Sequence, residues 1–212
     1  MRIHPARFGI VSAILAAISS STLAAQNHFE LGPTVGAFAP LGSFRAQSFY
    51  SSGLPLTPED LTGLNLGVQG RLWTRSQFGF QIDGGVALSR VGGGGTPIGV
   101  SASYPARIFT GSAQLLYRIT SAEAPVRLWF SGGAGVVQYG GRAYSTFTGR
   151  TRPAGVFGIA TAILLHPGLD LNVGLSGFVY GLDLRDTSVP GLQQGGNQLD
   201  ARLQTGISWA WR

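Results

Sequence analysis

The chain contains no cysteine. Disulfide staples, thiol catalysis and cysteine-ligated metal are therefore excluded. Lysine is absent too, and all 15 basic residues are arginine. A Walker A phosphate loop and a lysine Schiff base both need the amine, so neither is present. Charge of either sign is scarce: charged residues make up 11%, against roughly 25% in an average soluble domain. Long hydrophobic runs are missing as well. Beyond the N-terminus, the longest uncharged apolar stretch is Ala154–Leu165. It is too short to cross a bilayer as a helix, and His166-Pro167-Gly168 closes it.

What the chain has instead is glycine and alternation. Glycine accounts for 33 of 212 residues, about twice its usual share of roughly 7%. Hydrophobic residues reach 44%, enough to build a folded domain.

Residues 1–25 have the layout of an export signal. Arg2 and Arg7 form a basic start, Phe8–Ile18 is a short apolar run, and Thr22-Leu23-Ala24-Ala25 offers cleavage after Ala24 or Ala25. Residues 26–212 then form one domain of ordinary size.

Within that domain the period is two, not 3.6, which indicates strands. Leu199–Arg212 is the clearest case. Leu199, Ala201, Leu203, Thr205, Ile207, Trp209 and Trp211 fall on one face, and Asp200, Arg202, Gln204 and Ser208 on the other. Leu64–Trp73, Phe78–Ser89 and Leu169–Tyr180 repeat the pattern. Phe29–Ala39, Arg107–Arg118 and Val126–Val137 carry it more weakly, and Gly155–Leu165 is apolar on both faces. These make eight strands of about ten residues, the length of a tilted transmembrane strand. Short turns at Thr74–Gln77, Ile119–Pro125 and His166–Gly168 alternate with long loops at about Leu41–Gly63, Arg90–Ala106, Gln138–Ala154 and Gly181–Gln198. The fold class expected is an all-β, eight-stranded antiparallel up-and-down transmembrane barrel, with the long loops on the extracellular side.

Alternation alone fits a lipocalin-like soluble barrel carrying an apolar ligand equally well. The charges separate the two. Along the strands, Glu30, Asp83, Asp170 and Asp200 face four arginines, Arg71, Arg118, Arg127 and Arg202. A closed lumen requires such a balance, because each buried charge needs a partner. The opposite face is nearly free of charge, whereas a soluble surface is about 25–35% charged. Aromatic residues gather at the short-turn end, where an interfacial girdle belongs: Phe78, Phe80, Tyr117, Phe130, Trp209 and Trp211, with Trp73 and Trp129 on the polar face by parity.

Phe29-Glu30-Leu31-Gly32-Pro33-Thr34-Val35-Gly36, Ser131-Gly132-Gly133-Ala134-Gly135-Val136 and the C-terminal strand give the chain its resemblance. Over residues 26–212 it resembles the small eight-stranded bacterial outer-membrane β-barrel proteins. The resemblance implies a place in the outer membrane, among its lipid and lipopolysaccharide. It also implies delivery by periplasmic chaperones and insertion by the barrel-assembly machinery, which reads an aromatic final strand. Trp209 and Trp211 hold the alternating places there, and Arg212 follows. Members of this class include structural anchors, adhesion and serum-resistance proteins and a few lipid-modifying enzymes.

A lipid-modifying enzyme of this class would pair a histidine with Ser or Asp at the outer leaflet. The mature chain has only His28 and His166, both on the short-turn side, and it has no Gly-x-Ser-x-Gly or His-Glu-x-x-His motif. The glycines at 92–95 lack the spacing and the helix of a phosphate cradle. No cofactor or metal is expected, and sparse basic residues on an exported chain do not fit nucleic acid. The candidate binding surface is the loop Gln138–Ala154, where Arg142, Arg150 and Arg152 occur without an acid beside Tyr144 and Phe147; the alternative is a solvated loop whose arginines match nearby lipid headgroups. Guanidiniums grip phosphate or carboxylate bidentately, and aromatics stack on sugars. The function expected is a non-enzymatic scaffold displaying loops for surface interaction, adhesion or envelope integrity, with an anionic extracellular ligand.

Overall fold

The computed structural model describes residues 28–41, 63–74, 77–93, 102–187 and 193–211. The expected export signal, Arg212 and the greater part of the loop Leu41–Gly63 lie outside the described residues. Alternating apolar residues on Gly-rich segments form strands β1 His28–Pro40, β2 Gly63–Trp73, β3 Phe78–Gly93, β4 Ala102–Arg118 and β5 Val126–Gly141. A two-residue strand, β6 Phe147–Thr148, follows, and then β7 Thr151–His166, β8 Leu169–Asp186 and β9 Gln193–Trp211.

Each long strand pairs antiparallel with its neighbour in sequence, and β1 also pairs with β9. The sheet is thereby closed into an eight-stranded barrel, and β6 lies outside the ring, against β8. Closure satisfies every edge, which an open sheet in lipid cannot do. At the closing seam β1 runs very close to β9. A Cβ on Gly36 would lie 1.9 Å from the Leu203 carbonyl oxygen, so only glycine fits there.

Apolar side chains point out and charged ones point in. Leu66, Ile82, Leu115, Phe157, Leu175 and Leu203 are exposed, whereas Glu30, Arg71, Asp83, Asp170, Asp200 and Arg202 are buried. This is the membrane arrangement and the reverse of a soluble lipocalin-like barrel. At the short-turn end Phe78 meets Tyr117 at 5.3 Å, Phe29 meets Trp211 at 5.7 Å, and Trp209 faces outward. Trp73 and Trp129 turn inward, as their parity requires.

The ambiguous segment Gly155–Leu165 becomes β7, with Phe157, Ile159 and Ile163 outward and Ala154, Val156 and Ala162 inward. Register explains the small inward residues: Ala160 lies opposite Trp129, and Ala162 opposite Arg127. At these two positions the large lumenal side chains of β5 face alanine on β7.

Strand extends into three of the expected long loops, Arg90–Ala106, Gln138–Ala154 and Gly181–Gln198. The β3–β4 ladder continues beyond Arg90↔Pro105 to Gly93↔Ala102, and the β8–β9 ladder reaches Arg185↔Gln193. Above the bilayer a hydrogen-bonded hairpin needs no apolar face, so Gly, Ser and Gln extend it without hydrophobic periodicity.

Candidate functional site

The lumen is divided along its axis. Its short-turn half is ionic. Arg71 Nη1 donates to Glu30 Oε2 at 2.7 Å, and its Nη2 donates to Asn172 Oδ1 at 2.7 Å. Arg127 reaches Glu30 Oε1 at 3.4 Å and pairs with Asp170. The Arg71 guanidinium lies over Trp129 at 4.7 Å, and that of Arg118 over Trp73 at 4.6 Å. Trp73 and Trp129 meet edge to face at 5.6 Å. Cations over indole faces gain more where water is excluded.

A second group sits near mid-barrel. Arg202 Nη2 donates to Asp83 Oδ1 at 2.6 Å, and Gln114 Nε2 donates to Asp83 Oδ2 at 2.8 Å. Asp200 lies higher. It accepts from Gln198 Nε2 at 2.7 Å and from the Tyr180 hydroxyl, which also meets the Tyr139 hydroxyl. Of the expected lumenal set, Glu30, Arg71, Arg127 and Asp170 are brought together, and Asp83 and Arg202 form a separate pair. Arg118 stacks beside the first group, and Asp200 is served by neutral donors.

Around and above Asp200, the long-loop half of the lumen is mainly apolar. Phe38, Ile108, Val137, Phe178, Leu182 and Leu184 pack there with Tyr139 and Tyr180. The third long loop adds to them from above. Tyr144 lies 5.0 Å from Tyr139 and 6.5 Å from Phe147, and both loop aromatics are buried. They stopper the mouth and offer no face to a sugar. The loop is fixed to β8 by the pairs Phe147↔Asp186 and Thr148↔Arg185, and by Thr187 N donating to Thr146 O at 2.9 Å. Gly149 has φ +69°, and a Cβ there would lie 2.3 Å from the Asp183 carbonyl oxygen. This tight crossing demands glycine.

The loop arginines are divided. Arg152 donates to the Asp183 carbonyl and lies 3.4 Å from its carboxylate, which ties the loop to β8. Arg142 and Arg150 are exposed above the mouth.

The lumen has no channel among the described residues. A polar void of about 10 Å³, bordered by Thr34, Gln69, Asn172 and Gln204, would hold a single water. Eight strands leave a bore that side chains just fill. Larger hollows of about 710 and 360 Å³ lie on the outer wall, between Leu31, Val68 and Ile82 and between Phe157, Leu175 and Leu199. Acyl chains fit hollows of that kind.

His28 Nε2 lies 3.1 Å from Glu30 Oε1, and with Asp170 the two residues offer three ligand atoms within 4.8 Å of one another. The two carboxylates are already engaged by Arg71 and Arg127. That composition fits an ion-pair network better than a cation site. His166 is exposed at the end of β7.

Sequence reasoning missed the apolar upper lumen. The signal was present, because Ile108 shares parity with Thr110, Ser112 and Gln114, and Phe178 and Tyr180 with Asn172 and Ser176.

No family model and no curated relative matches the sequence; the likeness lies in structure. The Neisserial surface protein NspA is 12% identical over 86% of this chain and 96% of its own, with a TM-score of 0.55. The outer-membrane protein AlkL, in lipid bilayers, is 16% identical over 88% and 91%, also at 0.55. A major outer-membrane protein of Thermus thermophilus is 16% identical over 87% and 99%, at 0.52. The fold is that of small outer-membrane barrels, and the apolar outer wall is the face such a barrel turns to lipid.

Proposed function

We propose that the chain is a non-enzymatic protein of the bacterial outer membrane whose closed barrel holds a basic surface toward the cell exterior. The observation that carries this is the third loop. Its aromatics are packed down into the mouth and its backbone is strapped to β8, while Arg142 and Arg150 are left outward. Ordering a loop costs conformational entropy, and here burial of Tyr144 and Phe147 offsets that cost in advance. Guanidiniums on an ordered frame suit an anionic surface partner, such as an acidic polysaccharide. Loop arginines in the sequence outnumber loop acids, which adds attraction at longer range.

Placement of the two mature-chain histidines supports a non-enzymatic role. His28 is taken up by Glu30 at the periplasmic end, and His166 stands exposed at the periplasmic end of β7. For biogenesis, the outward Trp209 and Trp211 on the last strand are the groups an assembly machinery would read, after carriage by periplasmic chaperones.

The test is binding of the barrel in nanodiscs to dextran sulfate and to neutral dextran. Salt-sensitive binding to the sulfated polymer alone is expected, with loss in the variant Arg142→Gln/Arg150→Gln. Equal binding by that variant would remove the loop from the reading.

A further inference from the structure

The outward face of the β3–β4 hairpin changes character at one height. On β3 the outward residues run Phe80, Ile82, Leu88 and then Arg90; on β4 they run Leu115, Phe109 and then Arg107. The register pairs Leu88 with Arg107 and Arg90 with Pro105. The two arginines are therefore diagonal neighbours on adjacent strands, about 7–8 Å apart in backbone terms. Both are exposed, and among the described residues neither has an ion-pair partner. Asp183, on β8, is engaged by Arg152 and Arg185.

Two like charges so close repel each other, and an anion held between them relieves the repulsion. Their position selects the kind of anion. They do not crown the mouth as Arg142 and Arg150 do. They stand on the lipid-facing wall, one step above Leu88 and Phe109, at the level where the apolar band meets the headgroups. A ligand matching both parts has acyl chains for the wall and a phosphate for the guanidiniums.

We propose that Arg90 and Arg107 form a lateral site for the phosphate of an acylated, phosphorylated glycolipid in the outer leaflet. The two forks would clamp one phosphate, each by paired N–H donors. The site rests on the outer-membrane placement given above, and it is separate from the loop surface.

Native mass spectrometry of the detergent-released barrel tests this, with bisphosphorylated lipid A and a phosphate-free analogue as probes. The wild-type chain is expected to retain lipid A roughly tenfold better than the analogue. The variant Arg90→Gln/Arg107→Gln is expected to lose that preference, while Arg142→Gln/Arg150→Gln keeps it. Arg90→Lys/Arg107→Lys, which preserves charge without the planar fork, is expected to fall between. Inorganic phosphate at the same concentration should not displace the lipid. Equal retention by the glutamine variant, or displacement by inorganic phosphate, would overturn the assignment. Gels of unboiled and boiled protein accompany each sample. A wild-type chain that failed to shift on boiling would overturn the membrane barrel itself, which keeps the two failures distinct.

Discussion

Arg202 on β9 donates to Asp83 on β3 at 2.6 Å, across the lumen and between strands separated in the sheet by β1 and β2. The pair is a strut, not a neighbour contact. Glu30 with Arg127 and Arg127 with Asp170 are others, joining β1 to β5 and β5 to β8. The charges that make the interior polar also hold its opposite walls at fixed separation.

Removing one end of such a strut leaves its partner buried and unmatched. Arg71→Ala strips Glu30 of its 2.7 Å donor, Asn172 of a second and Trp129 of its cation. The expected cost is ~3–5 kcal/mol, read as a lower urea midpoint for the barrel refolded in vesicles. An unchanged midpoint would mean that the carboxylate is served by something other than Arg71.

The stopper can be loosened without breaking the barrel. Phe147→Ala removes a buried ring from the mouth, a loss of ~3–5 kcal/mol for well-packed aromatics. Since the chain has no lysine, trypsin can cut only at arginine. Rapid cleavage at Arg142 or Arg150 is expected in the variant and slow cleavage in the wild type, with the boiling shift intact in both; Arg152 precedes Pro153, which trypsin does not cut. Equal cleavage rates would show that the loop is not held by its aromatics.

The seam has its own test. Gly36→Val would place a branched side chain where even a Cβ would lie 1.9 Å from the Leu203 carbonyl. Gly181→Ala meets nothing within 4 Å. The first variant is expected to refold poorly and run as the unfolded band without boiling, and the second to behave as wild type. Normal closure of Gly36→Val would mean that β1 and β9 can part at this point.

Conduction should be absent. With a lumenal void of about 10 Å³ and an apolar stopper above it, the protein in planar bilayers is expected to give no stepwise current. Steady unitary steps would contradict a filled bore.

Parity made much of this legible. Along Leu199–Trp211 it fixes Asp200 and Arg202 inside and Trp209 and Trp211 outside, because a slip of one residue would invert them all. It also placed Trp73 and Trp129 inside, against the habit of tryptophan to mark the membrane interface, and the cations above their rings account for that position. Where periodicity stops, legibility stops with it. Nothing local distinguishes Tyr144 and Phe147 as a stopper from a pair of exposed binding aromatics. Their burial depends on β6 finding β8, more than thirty residues later. The extended ends of β3 and β4 carry Gly, Ser and Tyr, and it is their backbone pairing that makes them strand. The pairing of particular charges was equally hidden, since balance along the strands says nothing of which arginine meets which acid across the bore.

Phe29 stacks on Trp211 where the first strand meets the last. The two residues come from opposite ends of the domain, so this contact exists only when everything between them is present and in order. A chain lacking its final strand would have two raw edges, each a row of unmatched amides that lipid cannot solvate. No shorter product is a smaller barrel. The seam therefore acts as a test of completeness: a truncated copy has no stable resting place in the bilayer and stays open to proteolysis.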